Sequence, residues 1–208
     1  MSGVSHTLRY VSSPAPATRA ASADETRRRL LDAAIDRFAA GAVTSFEAVA
    51  TDAGVTKGAL YHHFGSKEGL VEAVYREVVN RHAARVIAAS SDGDGRTRLL
   101  ALVDASARLY TSRTPFYRLL ISLHLEAATS RPHLAPIARR VQASQRAYMI
   151  GLVEAGRADG SVRAAADAEA VGLTVNAALD GFLVQQLEPQ AEQRRWIAKF
   201  RSLMEEML

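Results

Sequence analysis

The 208-residue chain has no cysteine, only three lysines among its 26 basic residues, one tryptophan and six prolines. Without thiols there is no disulfide framework, no thiolate metal site and no cysteine nucleophile. No apolar run approaches the roughly 18 residues that suggest a membrane span. The opening stretch MSGVSHTLRYVSSPAPATRAAS is small and polar and lacks the apolar centre of a signal peptide. Strict alternation of apolar and polar residues, the mark of a half-buried strand, appears nowhere. The six histidines show no H-E-x-x-H spacing, and there is neither a glycine-rich phosphate loop nor a G-x-S-x-G elbow. The expectation is a soluble cytoplasmic all-α chain with no catalytic residue, no metal, no cofactor and no membrane partner.

What is present is a normal globular balance, 48% apolar and 23% charged, enough to build a sizeable core. The formal charge of +4 and a pI near 9.7 invite a nucleic-acid reading. Position argues against using charge that way. Residues 1–80 hold nine Lys/Arg and nine Asp/Glu, so the basic surplus lies in residues 81–208. With 23 arginines to three lysines, the excess looks compositional.

Residues 1–22, rich in small residues and prolines, read as a flexible tail. From Asp24 the pattern turns helical: Leu30, Leu31, Ala34, Ile35 and Phe38 share one face, and Gly41 ends the segment. Thr44 and Ser45 are N-cap candidates for a short helix, Phe46 to Asp52. Ala53-Gly54-Val55 reads as a tight turn. Thr56 then caps a helix through Phe64, and Ser66 caps a long one, Lys67 to Ala89, with Gly69 tolerated in its first turn. After the break at 90–95, four or five further helices follow, opened by Thr114-Pro115, Pro132, Asp167 and the residues after Pro189. About nine helices are expected in all.

The densest pattern is Thr44 to Lys67, TSFEAVATDAGVTKGALYHHFGSK. Two short helices joined by a three-residue turn with glycine describe a helix-turn-helix. Phe46, Val49, Val55, Leu60 and Phe64 would lock the pair, with small Ala50 at the close approach. Thr56, Lys57, Gly58, Ala59, Tyr61 and His62 then point outward. The Thr56 and Tyr61 hydroxyls suit phosphates, Lys57 supplies a cation, and Gly58 and Ala59 let the backbone approach a base edge or a thymine methyl. His62 can donate to a phosphate or a base. Lys67, at a helix start, adds another phosphate donor. His63 points about 100° away from His62 and is read as a packing residue or a phosphate contact. Arg27, Arg28 and Arg29 open the first helix within reach of phosphates.

On these residues the chain resembles the TetR family of bacterial transcriptional repressors. The likeness covers residues 24–75, through Ala33-Ala34, Phe38, Thr44-Ser45, the run Ala53 to Phe64, and Lys67-Glu68-Gly69-Leu70. One departure is the connection Ala39-Ala40-Gly41-Ala42-Val43, shorter than the family's, in which Val43 stands in for an aromatic staple against the second helix. The resemblance implies a DNA-binding domain over residues 23–70, contacting double-stranded operator DNA through Thr44, Ser45, Thr56, Lys57, Gly58, Ala59, Tyr61, His62 and Lys67. It implies a ligand-binding and dimerisation domain over residues 71–208. It also implies a homodimer on a palindromic operator, half-sites roughly 34–36 Å apart, released when a small-molecule effector moves the fourth helix. An activator or a ligand-independent DNA-binding factor would use the same segment.

In the second domain Tyr117, Leu120 and His124 share a face, as a pocket wall with one polar group or as core with a satisfied histidine. Tyr110, Phe116 and Tyr148 are pocket candidates of the same kind. Asn176 and Asp180, one turn apart, either orient a polar ligand, pair across a dimer or face solvent. Val175, Leu179, Phe182, Leu183, Trp196 and Phe200, on the last two helices, are the candidates for the dimer interface that the resemblance implies.

Overall fold

The computed structural model describes residues 16–41, 45–112, 114–184 and 189–208. Among them are nine α-helices and no strand, the expected fold class. They are α1 (Pro16–Ala39), α2 (Phe46–Asp52), α3 (Lys57–Phe64), α4 (Lys67–Ala89), α5 (Gly95–Tyr110), α6 (Pro115–Ala128), α7 (Ala135–Asp159), α8 (Ala168–Val184) and α9 (Gln190–Met207). A 3₁₀ turn, Pro132–Leu134, leads into α7. No described helix is long and apolar enough to cross a membrane.

Local chemistry sets most of the starts. Ser45 accepts a hydrogen bond from the Ala48 amide (3.1 Å), Thr56 from Ala59 (3.2 Å), Ser66 from Gly69 (3.0 Å) and Asp94 from Thr97 (2.8 Å). Each satisfies an orphan amide and contributes about 1 kcal/mol. Thr44 and Val43 lie outside the described residues. One start differs from expectation: α1 begins at Pro16, so residues 16–22 belong to a helix and not to a tail. Alanine at four of positions 17–23 favours helix, and proline is tolerated at a first helical position because its missing N–H has no partner there.

Helix α4 is the spine. Leu70, Val71, Val74, Tyr75 and Val78 on it are buried in one continuous apolar core that runs from Leu30 on α1 to Met204 on α9. A division at residue 70 therefore falls inside a helix, with no gap in the packing. Ahead of it, α1, α2 and α3 pack around the first turns of α4, and α6 packs along α1. Arg81 on α4 is paired with Asp32 on α1 and with Glu77.

Beyond it, α5, α7 and α8 form a packed layer. Two contacts there leave no room for side chains. A Cβ on Gly95 would stand 2.2 Å from the Gly156 nitrogen, and one on Gly172 would stand 2.8 Å from Ile150 Cγ1. Asp159 joins the same corner by accepting from the Gly95 amide (3.0 Å) and the Ser161 amide (2.9 Å).

Candidate functional site

The turn between α2 and α3 is built by Gly54, which takes φ +64°, a left-handed conformation that favours glycine. Arg29 of α1 donates to the Ala53 carbonyl, and Arg37 of α1 pairs with Asp52 at the end of α2 (2.9 Å). Val49, Ala50 and Leu60 are buried between the helices, with Phe46 nearly so and Val55 and Phe64 packed at the rim. The helix-turn-helix is thereby held as a rigid head.

Its outer face carries the expected donors. Thr56, Lys57, Gly58, Tyr61, His62 and Lys67 are exposed, and Ala59 is half-buried. The Thr56 oxygen is used as a cap acceptor, which leaves its O–H free to donate outward. Tyr61 rests edge-on against Phe46 at 4.6 Å between ring centroids and remains 46% exposed. A Cβ added to Gly58 would meet only Thr56 Oγ1, at 3.8 Å. Nothing inside the chain requires glycine there. Lys67 has no ion-pair partner among the described residues, so its ammonium is available.

Three features were not legible in the sequence. Lys57 is paired with Glu47 of α2 and lies 5.9 Å from the centre of the Tyr61 ring. The hydrogen bond to Glu47 raises the lysine's pKa and lowers the carboxylate's. Arg27 lies 5.6 Å over the Phe64 ring. Gly69 is required by the fold and not merely tolerated, since a Cβ there would stand 2.2 Å from the Phe64 carbonyl oxygen. His63 is half-buried against Phe64, and burial first, then His62 and Arg27, hold its pKa down.

The second region is a partly open cavity of about 300 Å³ between α4, α5, α7 and α8, at the small end of ligand pockets. Four of the predicted pocket residues, Tyr110, Tyr148, Asn176 and Asp180, line it together, with Val86, Leu102 and Met149 supplying apolar wall. Leu120 and His124 line a much smaller adjoining space of about 20 Å³ that shares His82, Tyr110, Gln145 and Asp180 with the first. His124 Nδ1 lies 3.1 Å from the hydroxyl of buried Tyr75, whose pKa burial pushes up to about 12.

Phe116 and Tyr117 are corrections, because neither lines the cavity. Tyr117 is buried behind His82, 5.8 Å away in a T-shaped contact, and Phe116 lies under the Arg85 guanidinium at 4.5 Å. α6 turns these rings toward His82 and Arg85 of α4 and leaves the cavity to α4, α5, α7 and α8. Sequence reading also passed over His82, a polar residue on the apolar stripe of α4. Its Nε2 lies 3.0 Å from the Tyr110 hydroxyl, and burial drives its pKa down to about 4, so it is neutral.

The dimer candidates differ in how far their own chain covers them. Val175, Leu179 and Phe182 are buried in their own chain. Leu179 lines the cavity, and Phe182 packs on Phe200 at 5.8 Å. Trp196 and Phe200 are half-buried against the core, and the Leu183 side chain lies outside the described residues. The richest apolar stripe of α8 was taken by the core. The stripe left exposed is Ala170, Leu173 and Ala177, with Leu173 59% exposed and Leu203 of α9 at 48%.

The model for bacterial regulatory proteins of the tetR family matches residues 30–74, which span the end of α1, the helix-turn-helix and the start of α4. The transcriptional repressor KstR2 of Rhodococcus jostii is 30% identical over 167 residues, covering 75% of this chain and 77% of that protein. A TetR transcriptional regulator of Chloroflexus aurantiacus superposes with a TM-score of 0.71 at 24% identity, over 88% of this chain and 95% of that one. The regulator FadR of Bacillus subtilis, in complex with stearoyl-CoA, superposes with a TM-score of 0.65 at 16% identity, over 87% and 97%. With its reading head matched by the family model and three quarters of its length aligned to a repressor, this chain belongs to the TetR family of bacterial DNA-binding transcriptional regulators.

Proposed function

We propose that this regulator is a cytoplasmic homodimeric repressor, and that a small molecule in the α4/α5/α7/α8 cavity releases it from a palindromic operator. One observation carries the reading. α4 is a single helix whose first residue, Lys67, adjoins the recognition helix α3, and whose later turn, at His82 and Val86, lines the cavity. The two points are about 22 Å apart along one rigid rod. A ligand that favours one pose of α4 therefore biases the spacing of the two recognition helices. The exposed Leu173 stripe of α8 and Leu203 of α9 supply the apolar surface for the dimer.

On this reading Thr56, Tyr61, His62 and Lys67 hold phosphates and base edges, with Ser45 capping α2 beside them. Gly58 and Ala59 allow close approach. Lys57 reaches DNA by exchanging its Glu47 partner for a phosphate. The test is a band shift on the intergenic DNA upstream of the protein's own gene. Binding as a dimer is expected, with affinity falling steeply as salt rises. Lys67→Ala should reduce the salt slope by about 1 and weaken binding, with helix content and dimer unchanged. A genome-wide selection that returned no sequence-specific fragment would refute the reading.

A further inference from the structure

The cavity is apolar over most of its wall but is lined by two residues that each keep a buried polar atom without a partner. Asn176, 6% exposed, and His82, 4% exposed, stand on α8 and α4 and line the same space. The Asn176 amide nitrogen donates to Asp180 Oδ2 at 3.1 Å. Because a carboxylate only accepts, that bond fixes the amide's orientation. Asn176 Oδ1 is then an acceptor with no donor, and His82 Nδ1 likewise has no partner. Buried groups of this kind are rare in native structures and ask for an explanation. Nearby, Asp180 is a carboxyl that burial pushes above its usual pKa, against a smaller opposing pull from His124 and Arg146. On the α8 side of this wall the acceptor left open is Asn176 Oδ1.

We propose that the cavity takes an effector with a compact apolar body and a hydrogen-bond donor, a hydroxyl or an ammonium, which donates to Asn176 Oδ1 beside Asp180. The body fills the space between the rings of Tyr110 and Tyr148 and the side chains of Val86, Leu102, Met149 and Leu179. Asn176 Oδ1 is itself buried, so a ligand without the donor leaves the acceptor unsatisfied and binds worse. The inference rests on the effector-released reading and names the chemistry of its ligand.

A different chemistry is available just outside. Arg76 and Arg140 line an open groove between α4 and α7, divided from the cavity by Ala83, Ser144 and Gln145. An anionic head would settle there. The test therefore uses four probes with one bicyclic body: 2-naphthylmethanol, its methyl ether, 2-naphthylmethylammonium and 2-naphthoate. Binding to the full-length protein is read by calorimetry, and operator release by band shift.

The alcohol and the ammonium are expected to bind about tenfold tighter than the ether, 1.4 kcal/mol. Asn176→Leu should bring both within about twofold of the ether. Asp180→Asn should remove any advantage of ammonium over alcohol and, because the new amide can itself donate to Asn176 Oδ1, should also shrink the alcohol's advantage over the ether. If Asn176→Leu does not fold, the alcohol-to-ether ratio on the unaltered protein decides alone. An ether as tight as the alcohol, tightest binding by the naphthoate, or no binding by any probe overturns the inference. Donor-dependent binding that leaves the operator complex intact supports the inference and sinks the release reading instead.

Discussion

Two glycines eleven positions apart should respond to the same substitution with opposite effects on stability. Gly58 sits in the first turn of the recognition helix, where an added Cβ meets only Thr56 Oγ1 at 3.8 Å. Alanine there carries no steric cost and recovers roughly 0.5 kcal/mol of helix-forming entropy. Gly69 sits in the first turn of α4, where the same Cβ stands 2.2 Å from the Phe64 carbonyl oxygen. Relieving that contact takes about 1 Å of separation between the end of α3 and the start of α4. Overpacking of this kind costs about 1–3 kcal/mol, less the helix gain, and a net loss of about 1–2 kcal/mol lowers Tm by about 2–8 °C in a chain of this size. Gly58→Ala should therefore melt no lower than the parent, yet bind operator about tenfold more weakly, because the new methyl occupies the face presented to the groove. Gly69→Ala should melt lower and bind weakly as well, since the shift displaces the recognition helix. Thermal melts beside band shifts on the two variants decide. Full DNA affinity in Gly58→Ala would show that this glycine does not approach DNA. An unchanged melt in Gly69→Ala would show that the α3–α4 spacing is not tight.

Leu173→Glu places a charge in the exposed α8 stripe and is expected to convert the dimer to monomer by light scattering, with little change in helix content. Leu179→Glu, buried at the cavity, should instead unfold the chain. Acid should destabilise the protein through His82. Its pKa falls from an ordinary 6.5 to about 4 on folding, so between those values the unfolded chain binds the proton and the folded one does not. The contribution is present above pH 6.5, is lost as pH falls toward 4, and amounts to about 3 kcal/mol at most. Denaturant melts over that range should show a shallower acid loss in His82→Leu than in the parent.

The reading head was legible in the sequence because its determinants are local. A hydroxyl that can accept from the amide three positions on caps a helix wherever the chain goes next, and Ser45, Thr56 and Ser66 did so at the expected places. The cavity was half legible. Tyr110, Tyr148, Asn176 and Asp180 stand out as large or polar groups on helical stripes. Which stripes converge is a property of helix crossings, and α6 turned Phe116 and Tyr117 elsewhere. His82 was missed because a polar residue inside an apolar stripe looks like an interruption of it. The exposed stripe of α8 was not read for a related reason. Periodicity finds the most apolar stripe of a helix, but the chain's own core claims that stripe first, as Val175 and Leu179 show. The Glu47–Lys57 pair joins residues on two helices, a contact that only the turn between them creates.

The meeting of Gly95 with Gly156 has a mechanical consequence. There α5 and α7 touch backbone to backbone, pinned by Asp159, while the cavity opens farther along the same two helices, toward Tyr110 and Gln145. The arrangement is that of scissors riveted at one end. A tilt of about 5° at the rivet carries the Tyr110 end of α5, about 22 Å away, through about 2 Å. The cavity can thus widen for a bulkier guest with every lining residue unchanged, and substitutions that alter that tilt from outside the cavity would retune which guests fit.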